Sequence, residues 1–233
     1  MSTKYGTSVL DFSELDLNGS RTREKRGDRF EKFAEEFLEL QGYEVVKRPA
    51  IGTDGGCDLI VQLPKRREQK RATRYLVSCK NYSRPINRKN DEFNLSLLDR
   101  HKCDSFVLFY SNDVTSDMLE HISAIDEDCA VYIDRYSGAD IEKIMLEMPA
   151  YYGLMRRYFP KCYNSFIRQR KGVDCEYVDC SGYDCDDYFV QFIYEPKNFG
   201  MEDKITCRHC ATDLARDLHE DGIPYDSFRF YDE

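Results

Sequence analysis

The chain has 233 residues, 41% of them hydrophobic, which suits one domain with an appendage or two small domains with packed cores. A formal net charge of -9 excludes a protein that coats nucleic acid over its whole surface, and no apolar run approaches the roughly 18 to 20 residues needed to cross a bilayer. The 10 cysteines and the lack of a basic-then-apolar secretory pattern at the start exclude a disulfide framework, so a cytoplasmic protein with reduced or metal-bound thiols is expected.

Residues 1–26 read as an N-terminal tail, without sustained period through Ser20 and either flexible or loosely docked. From Gly27 onward Phe30, Phe33, Ala34, Phe37, Leu38 and Gln41 fall on one side of a helix at about 100° per residue, and Gly42 closes it. Glu31 lies at the edge of this apolar arc. It either reaches inward toward a site at a sheet edge or is a surface glutamate. Tyr43–Arg48 reads as a strand, PAIGTDGG as a turn, and CDLIVQL as a buried strand with Asp58 near its head. Gly55 and Gly56 permit positive φ in that turn. Lys65 to Thr73 is a basic hairpin connection, and RYLVSCK is the partner strand ending in Lys80. A carboxylate and an amine therefore terminate neighbouring strands.

Pro85 and Asn87 mark a break, and the stretch from Arg88 to His101, with Phe93, Leu95, Leu97 and Leu98, is expected to be helical. A strand-helix alternation follows: SFVLFY, a helix from Val114 to Ile125 started by Asn112 or Ser116, CAVYID, and a helix from Gly138 to Met148. Pro149 ends that helix, which sets one domain at 27–149 and a second module at 150–233.

The second module opens with YYGLMRRYFPKCYNSFIRQRKG, where tyrosines and phenylalanines interleave with arginines and lysines. This is either an amphipathic helix with its aromatics packed inward or a surface that stacks bases and pairs phosphates. The rest is rich in cysteine. CRHC at Cys207 to Cys210 is a C-x2-C knuckle, and CEYVDC and CSGYDC lie upstream. Gly182 makes a turn between Cys180 and Cys185, so Cys180, Cys185, Cys207 and Cys210 are the favoured Zn²⁺ ligands, with Cys175 or His209 as replacements for one of them. Unliganded cytosolic thiols are the alternative. A zinc ion here would be structural, because no general base falls in the knuckle spacing.

Metal-assisted phosphodiester cleavage needs carboxylates to hold a hard divalent ion and a lysine near the attacking water. Strand alternation puts Ser78 and Lys80 on one face and Cys79 on the other, within reach of Asp58 from the adjacent strand. The ordered set GDRFEKFAEEFLELQGYEVVKRP, GTDGGCDLIV and YLVSCK resembles the catalytic domain of Mrr-type restriction endonucleases, in the PD-(D/E)xK nuclease superfamily, over roughly residues 27 to 148. The resemblance implies a restriction-endonuclease-like α/β/α core with a mixed central sheet. It implies Mg²⁺- or Mn²⁺-dependent cleavage of DNA in restriction or antiviral defence, with a homodimer or a partner subunit supplying target recognition. Residue by residue, Asp58 matches the metal-binding aspartate, Lys80 the catalytic lysine, Glu31 the helix glutamate and Asp54 the acidic position of the turn. Ser78 departs from the pattern, since a hydroxyl is a poorer Mg²⁺ ligand than a carboxylate. It opens the alternative of a catalytically weakened nuclease-fold subunit that binds nucleic acid or a partner protein, and RNA cleavage is a third reading. Lys65, Arg66, Arg67, Lys70, Arg71 and Arg74 are expected beside the site as phosphate contacts.

Overall fold

The computed structural model describes residues 9–17, 26–48, 57–65, 71–129, 131–170, 175–177, 180, 188–196 and 200–231. It divides into two compact units, Met1–Ile144 and Met145–Glu233, the division falling inside a helix shortly before Pro149.

In chain order the first unit comprises α1 (Glu14–Leu17), α2 (Arg26–Leu40), β1 (Glu44–Lys47), β2 (Leu59–Leu63), β3 (Thr73–Lys80), α3 (Leu95–His101), β4 (Ser105–Tyr110), α4 (Ser116–Cys129), β5 (Ile133–Tyr136) and α5 (Gly138–Glu147). Its five strands are ordered β1-β2-β3-β4-β5. The β1–β2 and β2–β3 pairs are antiparallel, and β3–β4 and β4–β5 are parallel. The parallel half follows from its connections, because parallel neighbours need crossovers long enough to hold a helix.

Every residue of β4 is buried, as a strand covered on both faces requires. Alternation sends Phe106, Leu108 and Tyr110 toward Phe93, Leu97, Leu98, Met118 and Ile122 of the α3–α4 side. Phe109 points the other way and meets the rings of Phe30, Phe33 and Phe37 from α2 at centroid distances of 5.5, 5.8 and 5.3 Å. The helical arc expected from the phenylalanine spacing is thus the buried face of α2, and Gly42, at φ 88°, takes the left-handed turn that closes it.

Of the two readings of the N-terminal segment, residues 9–17 take the docked one, with Leu10 and Leu15 buried, while three other local details differ from the sequence expectation. The Val9 and Leu10 N–H groups both donate to Glu142 Oε2 of α5 at 2.8 Å. The helix expected over 88–101 begins only at Leu95, because the Asn94 side chain accepts the Ser96 N–H at 3.1 Å and caps it. Residues 126–129 contain neither Gly nor Pro, so α4 runs on to Cys129, and the strand expected over 129–134 is displaced to Ile133–Tyr136. At the start of α4 it is Thr115, not Asn112 or Ser116, whose hydroxyl accepts a first-turn N–H, that of Met118 at 3.4 Å.

Helix α5 starts with a reciprocal cap, in which Ser137 Oγ accepts the Asp140 N–H at 3.3 Å and Asp140 Oδ2 accepts the Ser137 N–H at 2.9 Å. Gly138 is required there by space, since a Cβ would fall 2.3 Å from the Ser111 carbonyl oxygen.

The second unit holds a 3-10 turn at Pro149–Tyr151, then α6 (Tyr152–Tyr158), α7 (Pro160–Arg170), β6 (Tyr188–Tyr194), β7 (Glu202–Cys207), α8 (Arg208–Glu220) and β8 (Tyr225–Tyr231). Its three strands form an antiparallel sheet in the order β7-β6-β8. Tyr151, Tyr152, Tyr158, Phe159, Tyr163 and Phe166 are all buried, so these aromatics serve packing and offer no stacking face to bases. Leu214 and Leu218 of α8 cover Val190, Phe192 and Tyr194 of β6. The sequence reading left β6, β7, α8 and β8 unassigned. Among the described residues no helix is long and apolar enough to cross a membrane.

Candidate active site and thiol cluster

Asp58 stands just before β2 and Lys80 closes β3. Because the strands are antiparallel, with Leu59 opposite Val77, both groups arrive at the same end of the sheet. Asp58 Oδ2 accepts the Cys79 N–H at 2.6 Å and the Lys80 ammonium at 3.2 Å. The backbone donor fixes the carboxylate, and the carboxylate in turn fixes the lysine. Their side chains are 16% and 22% exposed, enough to meet a ligand while partly shielded from water.

Burial favours a neutral amine at Lys80, but the charges of Asp58 and then Asp91 outweigh it, and its pKa is raised above the ordinary lysine value. Lys80 is therefore a cation at neutral pH, able to donate a hydrogen bond and stabilise anionic charge but not to accept a proton. The Cys79 thiol points to the other face of the sheet, where burial and then the Asp58 charge push its pKa up, so it is no nucleophile.

Ser78 is 2% exposed and does not turn toward Asp58. Its hydroxyl donates to Asp91 Oδ2 at 2.6 Å, and the Tyr110 hydroxyl donates to the same oxygen at 2.8 Å. Tyr110 is the lateral partner of Lys80 in the β3–β4 register. Burial, and next the Asp91 charge, raise the Tyr110 phenol well above its usual pKa, so it remains a donor. Sequence reasoning named Ser78 and missed Asp91. The one signal available was an acidic pair, Asp91 and Glu92, directly before an apolar residue, and that pattern is too common to mark a site.

Glu31 is half-buried on α2, and its charge acts on the Cys79 thiol from that side of the sheet. Asp54, Gly55 and Gly56 lie outside the described residues. The site opens into a groove of about 690 Å³ lined by Lys80, Asn81, Tyr82, Ser111 and the docked residues Leu10 and Phe12.

Lys65, Arg71 and Arg74 are not beside this site, which corrects the sequence expectation for these three. Leu63 pairs with Thr73 at the other end of the hairpin, so Lys80 lies seven residues further along β3, or about 23 Å at strand spacing. Lys65, Arg71 and Arg74 belong to that far end, and Arg66, Arg67 and Lys70 lie outside the described residues. Arg71 is ion-paired with Asp104, whose Oδ2 also accepts the Arg74 N–H at 3.0 Å.

In the second unit the sulfurs of Cys175, Cys180, Cys207 and Cys210 lie within 4.8 Å of one another. Cys207 ends β7 and Cys210 sits in the first turn of α8, so the C-x2-C spacing straddles a strand-to-helix corner. The Cys207 N–H points at Cys175 Sγ, 3.2 Å away. Cys175, expected as a replacement ligand, is a member of the cluster, Cys185 lies outside the described residues, and His209 is exposed and not part of the cluster.

A mixed five-stranded sheet layered by helices, with an acid and a lysine at the shared end of two adjacent strands, is a restriction-endonuclease-like α/β architecture. Residues 22–131 match the Mrr_cat family model, described as a restriction endonuclease. Among solved structures, the chain is similar to the DNA modification-dependent restriction endonuclease AspBHI, with 15% identity and a TM-score of 0.43 over 69% of this chain and 38% of that one. It is also similar to the MspJI restriction endonuclease in complex with a 27-mer oligonucleotide, with 12% identity and a TM-score of 0.36 over 67% of this chain. The match spans 36% of the MspJI chain, so in both cases it covers well under half of the other protein. No curated protein matches the chain.

Proposed function

We propose that the chain is a divalent-metal-dependent endonuclease that hydrolyses DNA at the Asp58–Lys80 site, in restriction or antiviral defence. The observation that carries this reading is the 3.2 Å contact between the Lys80 ammonium and an Asp58 carboxylate already oriented by the Cys79 N–H. Both Asp58 bonds fall on Oδ2, which leaves Oδ1 without a hydrogen-bond partner among the described residues. A carboxylate oxygen of this kind, partly shielded, fits a hard cation such as Mg²⁺ or Mn²⁺. Asp58 is the assigned ligand, with Glu31 and Asp54 as the assigned acidic neighbours. When bound, such an ion polarises the phosphate and lowers the pKa of a coordinated water.

The rest of the chemistry belongs to the chain. Lys80, a cation beside the scissile phosphate, donates to a non-bridging oxygen and offsets the charge that develops during attack. Asp58 holds Lys80 at the angle this requires. The Lys65–Arg74 connection, remote from the site, is assigned to flanking phosphates, where its contacts position the duplex without reading its sequence.

The test uses plasmid DNA and RNA with Mg²⁺, with Mn²⁺ and with chelator. Divalent-dependent cutting of DNA should fall by at least ~100-fold in Asp58→Asn and in Lys80→Met. Wild-type protein that cuts no DNA with either ion, or an Asp58→Asn variant that cuts at the wild-type rate, overturns the proposal.

Cys175, Cys180, Cys207 and Cys210 are assigned to one structural Zn²⁺. Tetrahedral thiolates at ~2.3 Å from zinc stand ~3.8 Å apart, so sulfurs already within reach of one another need only a small contraction. Four sulfur ligands leave no open coordination position, which gives the ion a folding role and not a catalytic one.

A further inference from the structure

We infer that Asp91 is the second acidic residue of the Asp58–Lys80 site and supplies the cation-binding carboxylate that Ser78 lacks. The inference rests on the nuclease reading and adds to it a residue outside the strand-end pattern.

Position comes first. Ser78 and Lys80 share a face of β3, and Tyr110 stands opposite Lys80 on β4. Hydroxyl bonds of 2.6 Å from Ser78 and 2.8 Å from Tyr110 therefore hold Asp91 over that face, at the end of the sheet where Asp58 and Lys80 meet. A carboxylate on Ser78 itself would project to the same face. The serine is instead short enough to bring a carboxylate in from the turn before α3 and to anchor it.

Charge comes second. Asp91 is 7% exposed, and a carboxylate so far removed from water needs a cation as well as hydrogen bonds. Its two donors are neutral hydroxyls and both use Oδ2, while Oδ1 accepts no hydrogen bond among the described residues. The ammonium whose field reaches it is that of Lys80, and Lys80 is hydrogen-bonded to Asp58. The Lys80 ammonium thus faces two carboxylates, and a divalent cation at the same end of the sheet would supply further positive charge.

Packing comes third. A carboxylate serving only to cap α3 would face that helix, yet the cap is made by the Asn94 side chain. Asp91 faces the sheet.

The experiment titrates Mn²⁺ into the full, zinc-loaded chain and follows binding by calorimetry and by the Mn²⁺ electron-spin signal, for wild type, Asp58→Asn and Asp91→Asn. Asparagine keeps an acceptor for Ser78 and Tyr110, and a melting curve checks that the fold is retained. Asp91→Ser, which leaves a hydroxyl and room for water, serves the same comparison if asparagine is not tolerated. The expected result is a loss of at least about tenfold in Mn²⁺ affinity in the folded Asp91 variant, matched by a loss of plasmid cutting. Wild-type Mn²⁺ affinity in a folded Asp91 variant, with Asp58→Asn impaired, overturns this inference alone and leaves the nuclease reading standing. A wild-type protein that binds no Mn²⁺ and cuts no DNA removes both.

Discussion

The acid–lysine end of the five-stranded sheet and the thiol cluster of the second unit are both small polar centres, but they are held in opposite ways. Asp58 is fixed by a backbone N–H of the neighbouring strand, and Ser78 and Tyr110 fix Asp91, so the carboxylates at this end of the sheet are positioned by hydrogen bonds from the chain itself. The thiol cluster has four sulfurs facing one another, with the Cys207 N–H pointing at Cys175 Sγ. Sulfur is a weak acceptor, so such a centre gains its order from what binds it. On the proposed reading, a metal at the first centre is a reagent and a metal at the second is part of the fold.

The largest effect should come from breaking the second centre. Structural zinc contributes on the order of 10 kcal/mol to small sites of this kind. Cys207→Ser should lower zinc from one per chain to near zero by elemental analysis and abolish the cooperative melting of the second unit. Asp58→Asn should leave both melting transitions in place. A Cys207→Ser protein that melts like wild type would erase the distinction between the two centres.

The next effect tests what stabilises the first unit in place of a metal. Phe109 is fully buried among Phe30, Phe33, Phe37 and Tyr136. Phe109→Ala should cost about 3–5 kcal/mol in urea unfolding, because the surrounding rings cannot close the cavity. A loss below about 1 kcal/mol would mean that the aromatic layer repacks freely. Smaller again, Gly138→Ala should cost about 1–3 kcal/mol, since its Cβ meets a backbone oxygen of Ser111 and not a movable side chain.

The same contrast separates what could be read in the sequence from what could not. The α2 arc and the paired ends at Asp58 and Lys80 were legible because they depend on local period and on adjacent strands. Asp91 was not, because its role depends on a turn folding back over a sheet face, which no periodicity encodes. The position of the basic connection was misread for a related reason. It adjoins the site in sequence, but a hairpin carries its loop to the end opposite its strand termini, so residues close to Lys80 in number lie far from it in space. Cys175 was named only as a replacement ligand because spacing alone cannot say which thiols of a cysteine-rich run converge. The strand pattern of YDSFRFY was available, yet a short polar and aromatic stretch gives a weak period of two.

The smallest effect on stability belongs to that far end of the hairpin, and it distinguishes a structural ion pair from a phosphate contact. Arg71 is 69% exposed in its pair with Asp104, and exposed pairs contribute less than about 1 kcal/mol. Arg71→Ala should therefore leave urea unfolding almost unchanged. Its effect should appear instead in the salt dependence of DNA binding, where the loss of one phosphate contact lowers the slope of log affinity against log salt by about 1. Cleavage of bound DNA should continue at the wild-type rate, because the contact lies about 23 Å along β3 from Lys80. An unchanged salt slope would assign Arg71 to Asp104 alone. A reduced cleavage rate at saturating DNA would mean that this end of the hairpin helps set the register of the scissile phosphate at the opposite end of the sheet.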